Sequence, residues 1–353
     1  MIKNSDQRVI CNELYSGQGL GNQLWNYAVT RVVADKIECD FSIISPERFK
    51  GANFINLDFG RKLTGGQSPE GGPPYWLPRG VSNYFRERRE NLLGSDTDIS
   101  RADDSLWNVT PGVKIDGNFQ SVTYLEGYRD KIRSWIPVNK VASPEFDIEN
   151  TCVIHVRCGD FAALKSVFLP QDYYVNAISE MRKYNSELKF KCVTDDAVVA
   201  RAMLPDFVEI VGSALSGSVD DLQASHHIGG AVDCDFLLLY RAKYSIIPNS
   251  SFSWWATYLN SESEFVIAPK FWARYNRSDG FWSTSDIITP GFTYIDKSGS
   301  LSSADTCKSE RDLFYGKNLS SFVSANSRPG ILATLIADFS NRLRTQIRSF
   351  RPR

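Results

Sequence analysis

The chain has 353 residues, more than one ordinary core holds, and reads as two domains. Forty Lys and Arg stand against 41 Asp and Glu, which excludes the overall basic footprint of a nucleic-acid binder and leaves any attraction of anions to local groups. The seven cysteines are odd in number, sit mostly in apolar runs and lack C-x-x-C spacing, so they read as reduced core residues. With no apolar leader and no run of about 18 apolar residues, a cytoplasmic protein, at most peripheral to a membrane, is expected.

The first predicted elements are a strand at 8–14 ("RVICNEL"), a helix at 22–36 with Leu24, Tyr27, Ala28 and Val32 at helical spacing, and a strand at 39–44, together one βαβ unit. Between strand and helix lies "SGQGLGNQLWNYA". Gly17, Gly19 and Gly21 form G-x-G-x-G, whereas a dinucleotide fingerprint needs G-x-G-x-x-G, and no G-K-[ST] follows for a nucleoside triphosphate loop. What the loop offers is free backbone at a helix amino terminus, with Asn22 and Gln23 amides able to donate to an anion; a tight turn without ligand is the plain alternative. Residues 50–105, rich in Gly, Pro and charge, read as loops with a few helical turns. "VKIDGNFQS" from 113 is followed by a helix-like stretch, 122–136, that ends at Pro137.

From 151 strands and helices alternate regularly: strands "TCVIHVR", "LKFKCVTDD", "VEIVG", "YSIIPN" and "EFVIAP", separated by helices at 171–185, 197–204, 233–243 and 250–260. This predicts a doubly wound α/β domain with a mostly parallel sheet, whose ligands lie beyond the carboxyl ends of the strands. The residues there are Arg157 to Asp160, Thr194 to Asp196, Gly212 and Ser213, and Asn249 to Ser251. His155 and Arg157 share one face of their strand. A guanidinium at that place requires an anion, either Asp160 or a ligand phosphate. Asn249, Ser250 and Ser251 suit phosphate oxygens or cap the following helix, and of Asp195 and Asp196 one can read a nucleoside while the other caps. Trp254 and Trp255 read as core. "KSGSLSSADTCKSE" (297–310) reads as a linker, and 331–353 as a final helix whose last dozen residues carry five arginines and no acid, a candidate contact with anionic lipid.

Four motifs in this order, "GLGNQLWNYA", "HVRCGDF", "VTDDAV" and "NSSFSWWATYL…FVIAPKFW", with "GNFQSVTYLEGYRDKIRSWI" between the first two, resemble the α-1,2-fucosyltransferases of glycosyltransferase family 11 over residues 8–296. The resemblance implies two Rossmann-like domains in a GT-B architecture: an acceptor-side domain at 1–150 and a GDP-sugar domain at 151–296; the basic extension at 297–353 lies beyond it. It also implies inverting transfer of L-fucose from GDP-β-L-fucose to the 2-hydroxyl of a galactose, in an oligosaccharide or lipid-linked glycan, without metal or other cofactor. The acid strings Asp96/Asp98 and Asp233/Asp235 fall away from predicted strand ends, in keeping with that. Arg157, and by location alone His155 and Asp160, are the catalytic candidates, and Gly19, Gly21, Asn22, Gln23, Asp195, Asp196, Asn249, Ser250 and Ser251 are expected at the donor. Two positions depart from the family pattern: Cys158 where a second arginine is common, and Phe161 where tyrosine is frequent. A transferase for another GDP-sugar, or a binding protein weakened in turnover, are the alternatives they leave.

Overall fold

The computed structural model describes residues 8–63, 76–88, 102–139, 147–159, 161, 167–211, 229–272 and 287–316. The first sheet is built from β1 (Val9–Glu13), β2 (Asp40–Ile44), β3 (Asn83–Arg86) and β4 (Val113–Asp116), all parallel, in the order β2-β1-β4-β3. Helix α1 (Leu20–Lys36) joins β1 to β2, and thirteen of its seventeen residues are buried. A helix apolar nearly all round must lie between two layers rather than on a surface. The second layer is the other sheet.

That sheet takes β5 (Thr151–Val156), β6 (Lys189–Thr194), β7 (Glu209–Ile210), β8 (Tyr244–Ile246), β9 (Phe265–Pro269), β10 (Phe292–Ile295) and β11 (Leu301–Ser303) in the order β11-β10-β9-β8-β5-β6-β7. Only the β10–β11 pair is antiparallel. All six residues of β5 are buried, as the continuous apolar run requires of a strand covered on both faces. Helices α3 (Gln171–Tyr184), α4 (Ala197–Met203), α5 (Gly229–Arg241) and α6 (Ser251–Leu259) supply the crossovers. These two α/β layers form the GT-B arrangement that the resemblance implies.

Strand order reverses between β1 and β4 in the first sheet and between β5 and β8 in the second. Such switch points leave a crevice beyond the carboxyl strand ends. The glycine loop follows β1, and Asn249–Ser251 follows β8. One core runs across the junction: Trp25 of α1 stacks on Trp254 of α6 at 4.4 Å between centroids, with Trp255 edge-on to both, and all three are buried. The tryptophan pair is therefore core.

Three sequence expectations are corrected. The loop region 50–105 contains β3, a four-residue strand that pairs with β4. The single helix expected at 122–136 is a 3-10 turn, Val122–Leu125, and a separate α2 (Arg129–Trp135), divided at Gly127, whose φ of +78° no α-helix accommodates. The expected linker at 297–310 carries β11 and the start of α7 (Ala304–Gly316), because Cys307 and Ala304 complete the apolar cover over the sheet edge. The basic segment 331–353 and the Asp96/Asp98 string lie outside the described residues. Among the described residues no helix is long and apolar enough to cross a membrane, and all seven cysteines are free thiols.

Candidate active site

The amino terminus of α1 begins at Gly19, in extended conformation, and no side chain among the described residues caps it. Ser250 begins α6 in the same way, again without a side-chain cap. The two ends touch. A Cβ on Gly21 would sit 2.5 Å from the Ser251 carbonyl carbon and 2.7 Å from the Phe252 nitrogen, so only glycine lets the helices come this close. Gly19 has nothing within 4 Å of a built Cβ and faces open space. The N–H groups of both first turns, with the positive ends of both helix dipoles, thus converge at the junction of the switch points.

Asn22, in the first turn of α1, lies at this junction: its Oδ1 accepts from Gln120 Nε2 (2.7 Å) and from Ser251 Oγ (3.1 Å). Gln23, expected at the donor, is instead buried and structural. Its Nε2 donates to the Arg48 carbonyl (2.8 Å) and its Oε1 accepts from Lys50 N–H (2.9 Å), because its place on α1 faces the loop after β2. Asn249 is corrected on the same ground. It is buried, and its Nδ2 donates to the carbonyls of Val167 (2.8 Å) and Trp272 (2.6 Å), which uses both amide hydrogens to pin two neighbouring loops. Ser250 and Ser251 remain at the helix start.

At the carboxyl end of β5, Arg157 meets a carboxylate from the neighbouring strand end. Its Nη1 forms an ion pair with Asp195 Oδ2, while Asp195 Oδ1 accepts the Cys158 N–H (2.8 Å). Parallel β5 and β6 are in register Val156↔Thr194, so residues one step beyond each strand become neighbours. Asp195, one of the two carboxylates expected to read a nucleoside or cap a helix, thus clasps two strand ends together. Gly159, at φ +23°, belongs to the clasp, since a Cβ there would lie 2.6 Å from Asp195 Oδ2. The Arg157 side chain keeps 33% exposure and lies over the Phe161 ring at 5.5 Å. Asp196 caps α4, its Oδ1 accepting from Val198 and Val199 N–H at 3.0 Å each. Asp160 lies outside the described residues.

His155 is buried, its ring 5.6 Å from that of Phe252 in the first turn of α6, and its Nδ1 has no hydrogen-bond partner among the described residues. Burial, aided by the charge of Arg157, pushes its pKa down to about 3, so the imidazole is neutral. Burial pushes the Cys158 thiol up to about 11. The position of the family's second arginine thus holds an uncharged S–H, which supplies no compensating charge.

Two features of the first sheet are absent from the residues singled out in the sequence. Lys114 on β4 and Glu13 on β1 form a fully buried ion pair (2.6 Å), whose only sequence signal is a lysine within the apolar run "VKID". Glu87, after β3, is buried and holds the turn 117–119, with Gln120 beyond it; nothing in the local sequence marks that carboxylate. The Asp233/Asp235 string lies in α5. Burial raises the Asp233 carboxyl, which meets Asn53 from the first-sheet side. No cluster of three or more His, Cys, Asp or Glu able to hold a metal occurs among the described residues.

The family model described as Glycosyl transferase family 11 matches residues 115–296, just over half of the chain. The chain belongs to glycosyltransferase family 11. This family 11 chain is 23% identical over 292 residues to the O-antigen biosynthesis glycosyltransferase WbnK of Escherichia coli, covering 72% of this chain and 92% of that protein. It is 28% identical over 181 residues to an alpha-1,2-colitosyltransferase of Escherichia coli, covering 48% of this chain and 59% of that protein. Among solved structures it is similar to the NodZ alpha-1,6-fucosyltransferase co-crystallised with GDP, at TM-score 0.43 and 13% identity over 84% of this chain and 97% of that one. So distant a likeness adds nothing to the strand order described above.

Proposed function

We propose that this family 11 glycosyltransferase transfers L-fucose from GDP-β-L-fucose to the 2-hydroxyl of a galactose in an oligosaccharide or lipid-linked glycan, inverting the anomeric centre and needing no metal ion. The observation that carries the reading is the meeting of two uncapped helix amino termini at facing switch points, with Asn22 between them. In this reading the diphosphate lies there, and α1, α6, Asn22 and Arg157 stabilise the charge that gathers on departing GDP. Arg157 takes the place of a divalent cation, and its ion pair with Asp195 aims the guanidinium before the donor arrives. His155, neutral and with a pKa near 3, is a poor proton acceptor, which favours Asp160 as the base for the acceptor hydroxyl.

The name of the colitosyltransferase relative supports an α-1,2 linkage and also a second donor. Colitose is fucose without its 3-hydroxyl. Purified protein is offered GDP-fucose and GDP-colitose with an array of galactose-terminated glycans, in the presence of EDTA, and product linkage is read by NMR. Transfer of fucose to the 2-hydroxyl is expected; transfer of colitose alone moves the donor assignment, and loss of all transfer with EDTA ends the metal-free reading. Arg157→Lys keeps a cation beside Asp195 but loses the planar fork, and turnover is expected to fall about 10²–10³-fold with little change in melting temperature. Near-normal turnover in that variant removes Arg157 from the mechanism.

A further inference from the structure

We infer that Gln120 is a positioning residue that fixes which end of the Asn22 carboxamide faces the donor; the inference rests on the donor site proposed above. A carboxamide has one acceptor oxygen and one N–H₂ donor, and a half-turn exchanges them. The Asn22 oxygen is engaged twice, by Gln120 Nε2 at 2.7 Å and by Ser251 Oγ at 3.1 Å. With Gln120 in this orientation, turning the Asn22 amide would set its N–H₂ against the Gln120 N–H₂ and lose that bond. Nδ2 is therefore the end presented to the crevice, the polarity that a diphosphate needs.

Gln120 owes its reach to an unusual turn. Phe119, just before it, holds φ +50°, a left-handed conformation that costs a bulky side chain free energy and persists only where its surroundings enforce it. The enforcing group is Glu87. Its Oε2 accepts both the Asn118 and Phe119 N–H groups at 2.9 Å, and its Oε1 accepts Tyr124 OH at 3.0 Å. Gly117 leaves room for it, since a Cβ there would lie 2.6 Å from Glu87 Cβ. A buried carboxylate thus sustains a strained turn whose next side chain crosses to Asn22 and, through it, to the start of α6. Mere cohesion of the sheets does not need this polarity, because the core of Trp25, Trp254 and Trp255 already joins the layers.

The test uses full-length protein, GDP-fucose and an acceptor, with Gln120→Met and Gln120→Glu. The neutral Gln120→Met removes the donor that anchors Asn22, and kcat is expected to fall about 10–100-fold, more than KM for the nucleotide sugar rises. Gln120→Glu at neutral pH draws the Asn22 N–H₂ to its own carboxylate and is equally slow. As pH falls through about 4–5 the protonated carboxyl donates again, and its rate relative to wild type recovers, whereas that of Gln120→Met stays flat. A Gln120→Met kcat within twofold of wild type overturns the inference. So does a pH-independent Gln120→Glu ratio, the result a purely structural tie gives alongside a lowered melting temperature. Calorimetry of wild type with GDP separates the two levels: no binding ends the donor-site reading and this inference together, while binding with unaffected Gln120 variants ends only the inference.

Discussion

Replacement of Gly21 by alanine tests the geometry on which the site depends. The added methyl would meet the backbone of Ser251 and Phe252 at 2.5 and 2.7 Å, and backbone atoms cannot rotate aside as a side-chain tip can. To reach an ordinary contact of 3.4 Å the helix starts must part by roughly 1 Å, which stretches the 3.1 Å bond from Ser251 to Asn22 beyond hydrogen-bond range. Overpacking of this kind costs about 1–3 kcal/mol, offset in part by up to about 1 kcal/mol of helix propensity gained over glycine. Misplacement by about 1 Å at a reacting centre costs up to about 10²-fold in rate, so activity should suffer more than stability. Urea unfolding and the initial rate of transfer measure the two effects. Gly19→Ala is the control: with no neighbour within 4 Å and φ of −70°, it should cost under about 1 kcal/mol, and selective loss of nucleotide affinity there would show phosphate passing close to its backbone. Gly21→Ala with wild-type stability and rate, or Gly19→Ala destabilised just as much, would refute the close approach of α1 and α6.

The buried Glu13–Lys114 pair should behave asymmetrically: Lys114→Met alone leaves the Glu13 carboxylate only the longer contact with Arg48 (3.8 Å) and costs up to about 3–5 kcal/mol, while Lys114→Met with Glu13→Leu recovers much of it, as denaturant midpoints will show. Additive losses in that cycle would mean that the two charges do not share one buried environment. His155, whose pKa is about 3 in the fold against 6.5 unfolded, stays neutral in the native state while the unfolded chain takes up a proton. Its contribution is present above pH 6.5 and is lost as pH falls toward 3, at up to about 1.4 kcal/mol per pH unit. His155→Gln should flatten the stability profile between pH 6 and 4; an unchanged slope would mean that the imidazole is not buried neutral.

Local chemistry explains what could be read in the chain alone. The buried run of β5, the helical spacing of α3 and the cap at Asp196 depend on periodicity and on hydrogen bonds two or three residues long, so they survive without knowledge of the rest. Strands β3 (NYFR), β10 (FTYI) and β11 (LSS) escaped because they lack the apolar runs that mark even the short β7 and β8, and become strands only where a neighbour supplies the ladder. Gln23 and Asn249 have donor chemistry suited to an anion, yet that chemistry is spent on carbonyls that packing brings beside them.

The sequence by itself determined the alternating α/β pattern, the strand-end address of Arg157 and, through the order of its motifs, the family. Tertiary structure alone decided the partners. Asp195 meets Arg157 across 38 residues because parallel strands lie in register, and Ser251 meets Asn22 across 229 because two helix starts pack at a glycine. A motif states which groups are available; the packing of distant backbone decides which of them another protein group has already engaged and which remain for a substrate.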